Sequence, residues 1–161
     1  AFDEWNTYVE ATPPYFIENY NIADAIYAAS LLNACINRGD IITNTGIYHL
    51  INVMGNYRIE KKKIWKTPTT LVLELYTKLH KGKILKSVVN SSNFVSFKLG
   101  KQPEYKNNKL IDSAVTMNGK HLCMSVVNKS SSEKILLKVP YLDRIAENYC
   151  IEGSNLSLIH I

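Results

Sequence analysis

Residues 21–39 limit what this chain can fold into more than any other stretch. Ile22, Ile26, Ala29, Leu32 and Ile36 recur at helical spacing. Ala23, Ala25, Ala28, Leu31 and Ala34 fill the other faces, so the predicted helix is apolar over most of its circumference. Such a helix needs cover on several sides and belongs inside a larger body. Its ends are marked. Asn21 is a good N-cap, with Asp24 at the N3 position of a capping-box arrangement. Arg38 and Gly39 supply a last-turn cation and a C-terminal glycine.

The chain changes texture around this helix. Thr12-Pro13-Pro14 reads as a loop, since paired prolines exclude a helix there. Asp40-Ile41-Ile42 is expected to start a short strand, and a second apolar piece, 50–54, follows after a loop. Residues 55–66 read as an irregular segment or small hairpin. Thr67 then caps a second helix with Pro68 at its first position. Leu71, Leu75 and Leu79 are its expected apolar stripe, with His80 and Lys81 at its negative end and Gly82 closing it.

Beyond Gly82 short strands take over, at 83–89, 94–99, 110–117, 121–127 and 135–139, the last ended by Pro140. Asn118-Gly119 is a strong two-residue hairpin signal. A boundary therefore falls near residue 82. The first part reads strand, helix, strand, helix; the second reads as an antiparallel sandwich. Neither part looks complete, because a strand-helix-strand-helix piece of this size cannot cover both faces of its sheet.

Composition removes several classes. The chain is 46% hydrophobic and 20% charged, which excludes disorder. It holds no apolar run long enough to span a membrane. There is no signal peptide, but the chain begins with Ala inside what reads as a strand, so its true N-terminus is expected to be missing. The net charge of +5 comes from dispersed lysines. The one dense cluster, Lys61-Lys62-Lys63, reads as a solvated turn, and no nucleic-acid partner is expected. Cys35, Cys123 and Cys150 are an odd number without a Cys-x-x-Cys pair, which argues against a disulfide framework and a zinc site. His49, His80, His121 and His160 have no metal-ligand spacing. No metal or cofactor is expected, and the compartment is expected to be reducing, hence cytoplasmic.

Residues 2–6, Phe-Asp-Glu-Trp-Asn, are the stretch with chemistry in it. An apolar strand end that opens into a carboxylate flanked by aromatic rings suits a sugar-cleaving site. Taken alone, the five residues fit a solvated turn after a strand better.

In order and spacing, however, this motif and those that follow resemble the C-terminal portion of an alpha-L-arabinofuranosidase of glycoside hydrolase family 51. The resemblance rests on Phe2-Asp3-Glu4-Trp5-Asn6 and on Asp24-Ala25 leading the long apolar helix. It also rests on Asp40-Ile41-Ile42, Leu50-Ile51-Asn52-Val53, Thr67-Pro68 with Leu75-Tyr76 and Gly82, and the strand-rich tail, and it covers residues 1 to about 150. It implies the end of a (β/α)8 TIM barrel over residues 1–82, then a jelly-roll-like antiparallel β-sandwich over 83–155, truncated overall. It implies an enzyme that removes non-reducing terminal alpha-L-arabinofuranosyl residues from oligo- or polysaccharides with retention of configuration, homo-oligomeric when intact. The family's nucleophile is the Glu of this motif, which falls on Glu4. Its acid/base Glu lies in an Asn-Glu motif on an earlier strand that has no counterpart here, so this chain alone is expected to be inactive.

The substrate-binding candidates are Trp5, Tyr8 and His49. Trp5 can pack the barrel rim or stack on sugar, with packing favoured. Tyr8 can line the substrate entrance or simply pack. His49 stands where the family often has Gln before the Leu-Val-Asn segment, and it can contact sugar or be an idle loop residue. Asp3 reads as a structural partner, because neighbours on a strand point to opposite faces. The rival reading takes the sandwich as a non-catalytic carbohydrate-binding or assembly module. That needs an exposed aromatic platform, whereas Phe94 and Phe97 read as buried strand residues, with Tyr105 the remaining aromatic. Residues 156–161, Leu-Ser-Leu-Ile-His-Ile, continue no pattern. They match what a transposase adapter used in DNA library preparation encodes in frame, and are expected to be a non-native tail rather than a last strand.

Overall fold

The computed structural model describes residues 1–7, 20–98, 100–140, 145 and 147–153, and the backbone of 156–160. Tyr8 and the Thr12-Pro13-Pro14 loop lie outside the described residues. Among the described residues the regular structure is mostly sheet, with two helices.

Helix α1 runs Ile22–Asn37 and begins as its sequence predicts. The Asn21 side chain accepts the Ala23 amide at 2.8 Å, and Asp24 Oδ2 accepts the Asn21 amide at 2.9 Å. Strand β1, Phe2–Trp5, pairs in parallel with β2, Thr45–Ile47, and α1 forms the crossover between them. The strand expected at 40–42 comes later. Ile41 and Ile42 spend their amides on the Arg38 carbonyl, at 2.9 and 2.8 Å, closing the helix end, so pairing starts only at Thr45. The apolar piece 50–54 is a turn, with Asn52, Val53 and Met54 all at positive φ. The hairpin expected within 55–66 forms from β3, Tyr57–Glu60, and β4, Lys63–Lys66.

Helix α2, Pro68–Leu79, starts on Thr67, with Pro68 in its first turn. Its buried face is not the leucine stripe. Thr69, Thr70, Val72 and Tyr76 face inward, Leu75 and Leu79 are partly buried, and Leu71 is 41% exposed. The reason is polar. Tyr76 Oη reaches Asn33 Oδ1 on α1 at 2.7 Å and lies 3.1 Å from the Ala29 carbonyl, which turns that face of α2 toward α1.

Strands β5 (Lys83–Leu85), β8 (Ile111–Asn118), β9 (His121–Asn128), β10 (Cys150–Gly153) and β11 (Leu156–His160) make one antiparallel sheet in the order β10-β11-β9-β8-β5; β6 (Asn93–Ser96) and β7 (Tyr105–Lys109) pair as a separate hairpin. The β8–β9 turn is one residue on from the expected Asn118-Gly119. Asn118 pairs with His121, leaving Gly119 and Lys120 as the loop, with Gly119 at φ 60° as the first position of a type II′ turn requires. Gly82 sits at φ 82°, and a Cβ there would fall 2.3 Å from the Met117 carbonyl, so the link from α2 into β5 needs glycine. Residues 135–139, expected as a strand, form none. Phe97, expected to be buried, lies beyond the end of β6 and is 80% exposed; Phe94 is half-buried. The residues expected as a non-native tail provide β11.

One core joins β1, both helices and the five-stranded sheet. Trp5 from β1, Ile22, Ala25, Ala28, Ala29 and Leu32 from α1, Val72 and Tyr76 from α2, and Val127 from β9 form a single buried cluster. Helix α1 touches α2 on one side and the sheet on another, which is the multi-sided cover its composition demands. Ser125 of β9 also reaches Asn33 Oδ1, at 2.5 Å, so one buried amide ties α1, α2 and the sheet together.

Candidate active site

Glu4 lies near the C-terminal end of β1. Phe2 pairs with Thr45 and Trp5 with Ile47, so three steps on β1 oppose two on β2. The extra residue is absorbed as a bulge, and Glu4 takes φ 61°. For a non-glycine residue that left-handed geometry costs about 1–2 kcal/mol. A bulge re-aims the side chain it carries. It also breaks the simple alternation used to set Asp3 and Glu4 on opposite faces. Both carboxylates are exposed, and Asp3 lies against Gly46 of β2.

The residues after Glu4 are pinned. Trp5 is 5% exposed, and its indole Nε1 donates to Thr45 Oγ1 at 2.7 Å while its ring packs near Tyr27. The described residues therefore give Trp5 a packing role. Asn6 does more than its place in the motif announces. Its Nδ2 donates to the Tyr48 and Met54 carbonyls, the latter at 2.6 Å, and its Oδ1 accepts the Thr7 amide at 2.8 Å. Thr7 Oγ1 in turn donates to the buried Asp24 carboxylate at 2.7 Å. Asp24 thus serves as capping residue and as anchor for the segment after Glu4.

His49 lies two residues past the end of β2 and is half-buried, with its ring on that of Tyr48. The Tyr48 amide donates to the Trp5 carbonyl at 3.2 Å, and Asn6 holds the Tyr48 carbonyl. The loop carrying His49 is thereby fastened to the segment carrying Glu4, at the same ends of two parallel neighbours. Sequence reasoning singled out Glu4, Trp5, Tyr8 and His49 and gave no role to Asn6, Thr45 or Thr7. Only the presence of Asn6 within the motif pointed to any of them. Among the described residues no three His, Cys, Asp or Glu side chains gather as metal ligands, and no helix is long and apolar enough to cross a membrane.

Comparisons with known proteins agree with this layout. The chain is similar to an intracellular exo-alpha-(1->5)-L-arabinofuranosidase of Streptomyces lividans, 26% identical over 86% of this chain and 22% of the relative. It therefore spans about a fifth of that protein's length. Among solved structures, the thermostable GH51 alpha-L-arabinofuranosidase of Thermotoga petrophila matches with a TM-score of 0.71 at 24% identity, over 83% of this chain and 29% of that one. The alpha-L-arabinofuranosidase of Thermotoga maritima, in an arabinose complex, gives 0.70 at 24% identity, over 81% and 28%. At that identity these two speak for the fold. The model of the alpha-L-arabinofuranosidase C-terminal domain matches residues 3–145. This chain belongs to the alpha-L-arabinofuranosidase C-terminal domain family.

Proposed function

We propose that this chain is part of a retaining alpha-L-arabinofuranosidase that removes non-reducing terminal arabinofuranosyl residues, with Glu4 as nucleophile. Residues 1–82 are then the last strands and helices of a (β/α)8 barrel, and 83–155 its sandwich domain. The observation that carries the reading is the position of Glu4: it stands in a bulge at the C-terminal end of a strand whose parallel neighbour ends at Ile47, two residues before His49. Catalytic groups of such barrels stand at those strand ends. A retaining site needs one ionised carboxylate against the anomeric carbon and a second, protonated carboxyl about 5–5.5 Å away. Glu4 attacks the anomeric carbon, the second carboxyl protonates the departing oxygen, and water then cleaves the glycosyl-enzyme ester.

In this account His49 contacts a sugar hydroxyl, Tyr8 lines the entrance, and Trp5 supports the rim. The intact enzyme is an intracellular homo-oligomer and needs no cofactor. Residues 1–161 alone hydrolyse no arabinofuranoside, because the acid/base lies on another strand. Residues 156–161 are a non-native tail, which an independently cloned gene would show.

In the intact enzyme, Glu4→Gln keeps shape and hydrogen bonding but removes the nucleophile. It abolishes the covalent intermediate, and substrates with good leaving groups do not rescue it. Asp3→Asn lowers activity only modestly. Rapid hydrolysis of an aryl arabinofuranoside by Glu4→Gln would overturn the role.

A further inference from the structure

The β3–β4 hairpin carries a groove that the proposed mechanism does not use. Its volume is about 220 Å³, and Tyr20, Arg58, Glu60, Trp65 and Thr67 are among the residues lining it. Arg58 and Trp65 pair directly across the hairpin, so they share one face, and Glu60, two residues from Arg58, shares it too. Trp65 is 53% exposed, although Lys63 Nζ stands 5.9 Å from its ring. Arg58 Nη2 and Glu60 Oε2 form an ion pair at 3.5 Å with both side chains open to solvent.

The groove has a firm base. Thr67, which caps α2, donates through both its amide and its hydroxyl to the Asn56 carbonyl, each at 3.0 Å. The Asn52 amide donates to the Tyr57 carbonyl at 2.7 Å, and Asn52 Oδ1 accepts the Ile59 amide at 2.8 Å. The chain leaves β2, passes the His49 loop and enters this hairpin before α2 begins. The hairpin therefore rises from the same end of the parallel pair as Glu4 and His49.

We propose that this groove is a second sugar subsite, holding part of an arabinose-containing glycan beyond the residue being cleaved. The inference rests on the arabinofuranosidase reading above. A flat indole offers its face to the C–H side of a sugar ring. A guanidinium beside a carboxylate presents donors and acceptors together, which matches neighbouring hydroxyls on a sugar. The volume lies below that of pockets for drug-sized ligands and suits a single small ring.

The test uses the intact enzyme and compares kcat/KM for an aryl alpha-L-arabinofuranoside with kcat/KM for linear arabino-oligosaccharides of three or more residues. Trp65→Ala lowers the oligosaccharide value about tenfold, mainly through KM, and changes the aryl value less than twofold. Equal losses on both substrates, or no loss on either, overturn the proposal. Should Trp65→Ala not fold, Arg58→Ala carries the same comparison, with a smaller loss of the same selectivity and the same two contrary results. If the unaltered enzyme fails to cleave the aryl arabinofuranoside, the arabinofuranosidase reading itself falls, and this inference with it. If it cleaves that substrate and its preference for longer chains survives Trp65→Ala, only the subsite is wrong.

Discussion

The β8–β9 hairpin and the β1–β2 pair hold their places in opposite ways. The two long antiparallel strands run from Ile111↔Asn128 to Asn118↔His121 without a register break, joined by a two-residue turn. Each has a second strand neighbour in the sheet. The β1–β2 pair is short and parallel, carries a bulge at Glu4, and among the described residues has no third strand. Parallel sheets normally have both faces covered. Here the pair depends on α1 behind it and on side chains, Trp5 to Thr45 and Asn6 to the His49 loop. The region that carries the proposed chemistry is thus the one least able to hold itself, and α1 links it to the region that can.

If that link is real, breaking α1 disturbs both regions. Leu32→Ala leaves a cavity in the shared core and costs about 2–5 kcal/mol. Amide exchange in β1–β2 and in β8–β9 should accelerate together. Acceleration confined to β1–β2 would show two independent bodies.

The polar links come next in size. Tyr76→Phe takes the hydroxyl from Asn33, and Thr45→Val leaves the Trp5 indole N–H buried without its partner; each costs about 1–3 kcal/mol in denaturant unfolding. Tyr76→Phe should lower the protection of both regions. Thr45→Val should act on β1–β2 and spare β8–β9, so equal effects at both sites would contradict that difference between the two regions.

The junction between α2 and β8 adds a pH term. His80 Nδ1 lies 3.1 Å from Thr116 Oγ1, and burial lowers its pKa from 6.5 to about 4. Between those values the unfolded chain binds the proton more readily. Stability is therefore intact above about pH 6.5 and declines as pH falls toward 4. His80→Gln should flatten that slope; an unchanged slope in thermal unfolding from pH 7 to 4 would assign it to other groups. The smallest effect is expected from Asn21→Ala, about 1 kcal/mol from the loss of one cap.

The same contrast governs what could be read from sequence. The capping box at Asn21 and Asp24, the Thr67-Pro68 start and the turn beside Gly119 depend on neighbours a few residues away, and these were legible to within a residue. The inward face of α2 was not, because Tyr76 finds its partner 43 positions away at Asn33. The strand at Thr45–Ile47 was displaced from 40–42 by two amides folding back on Arg38, which β-branched composition does not reveal. At the candidate site, Glu4 and His49 were reached through family resemblance. The bulge that aims Glu4 and the grip of Asn6 on the facing loop arise only when two strands far apart in sequence meet.

The most direct test of the central claim is the configuration of the product formed by Glu4→Gly in the intact enzyme with azide and an aryl alpha-L-arabinofuranoside. With the carboxylate gone, azide occupies its face and displaces the leaving group from the opposite side. The account predicts a β-arabinosyl azide. An α-configured azide would identify Glu4 as the acid/base, with the nucleophile elsewhere, and would contradict the reading of this strand end.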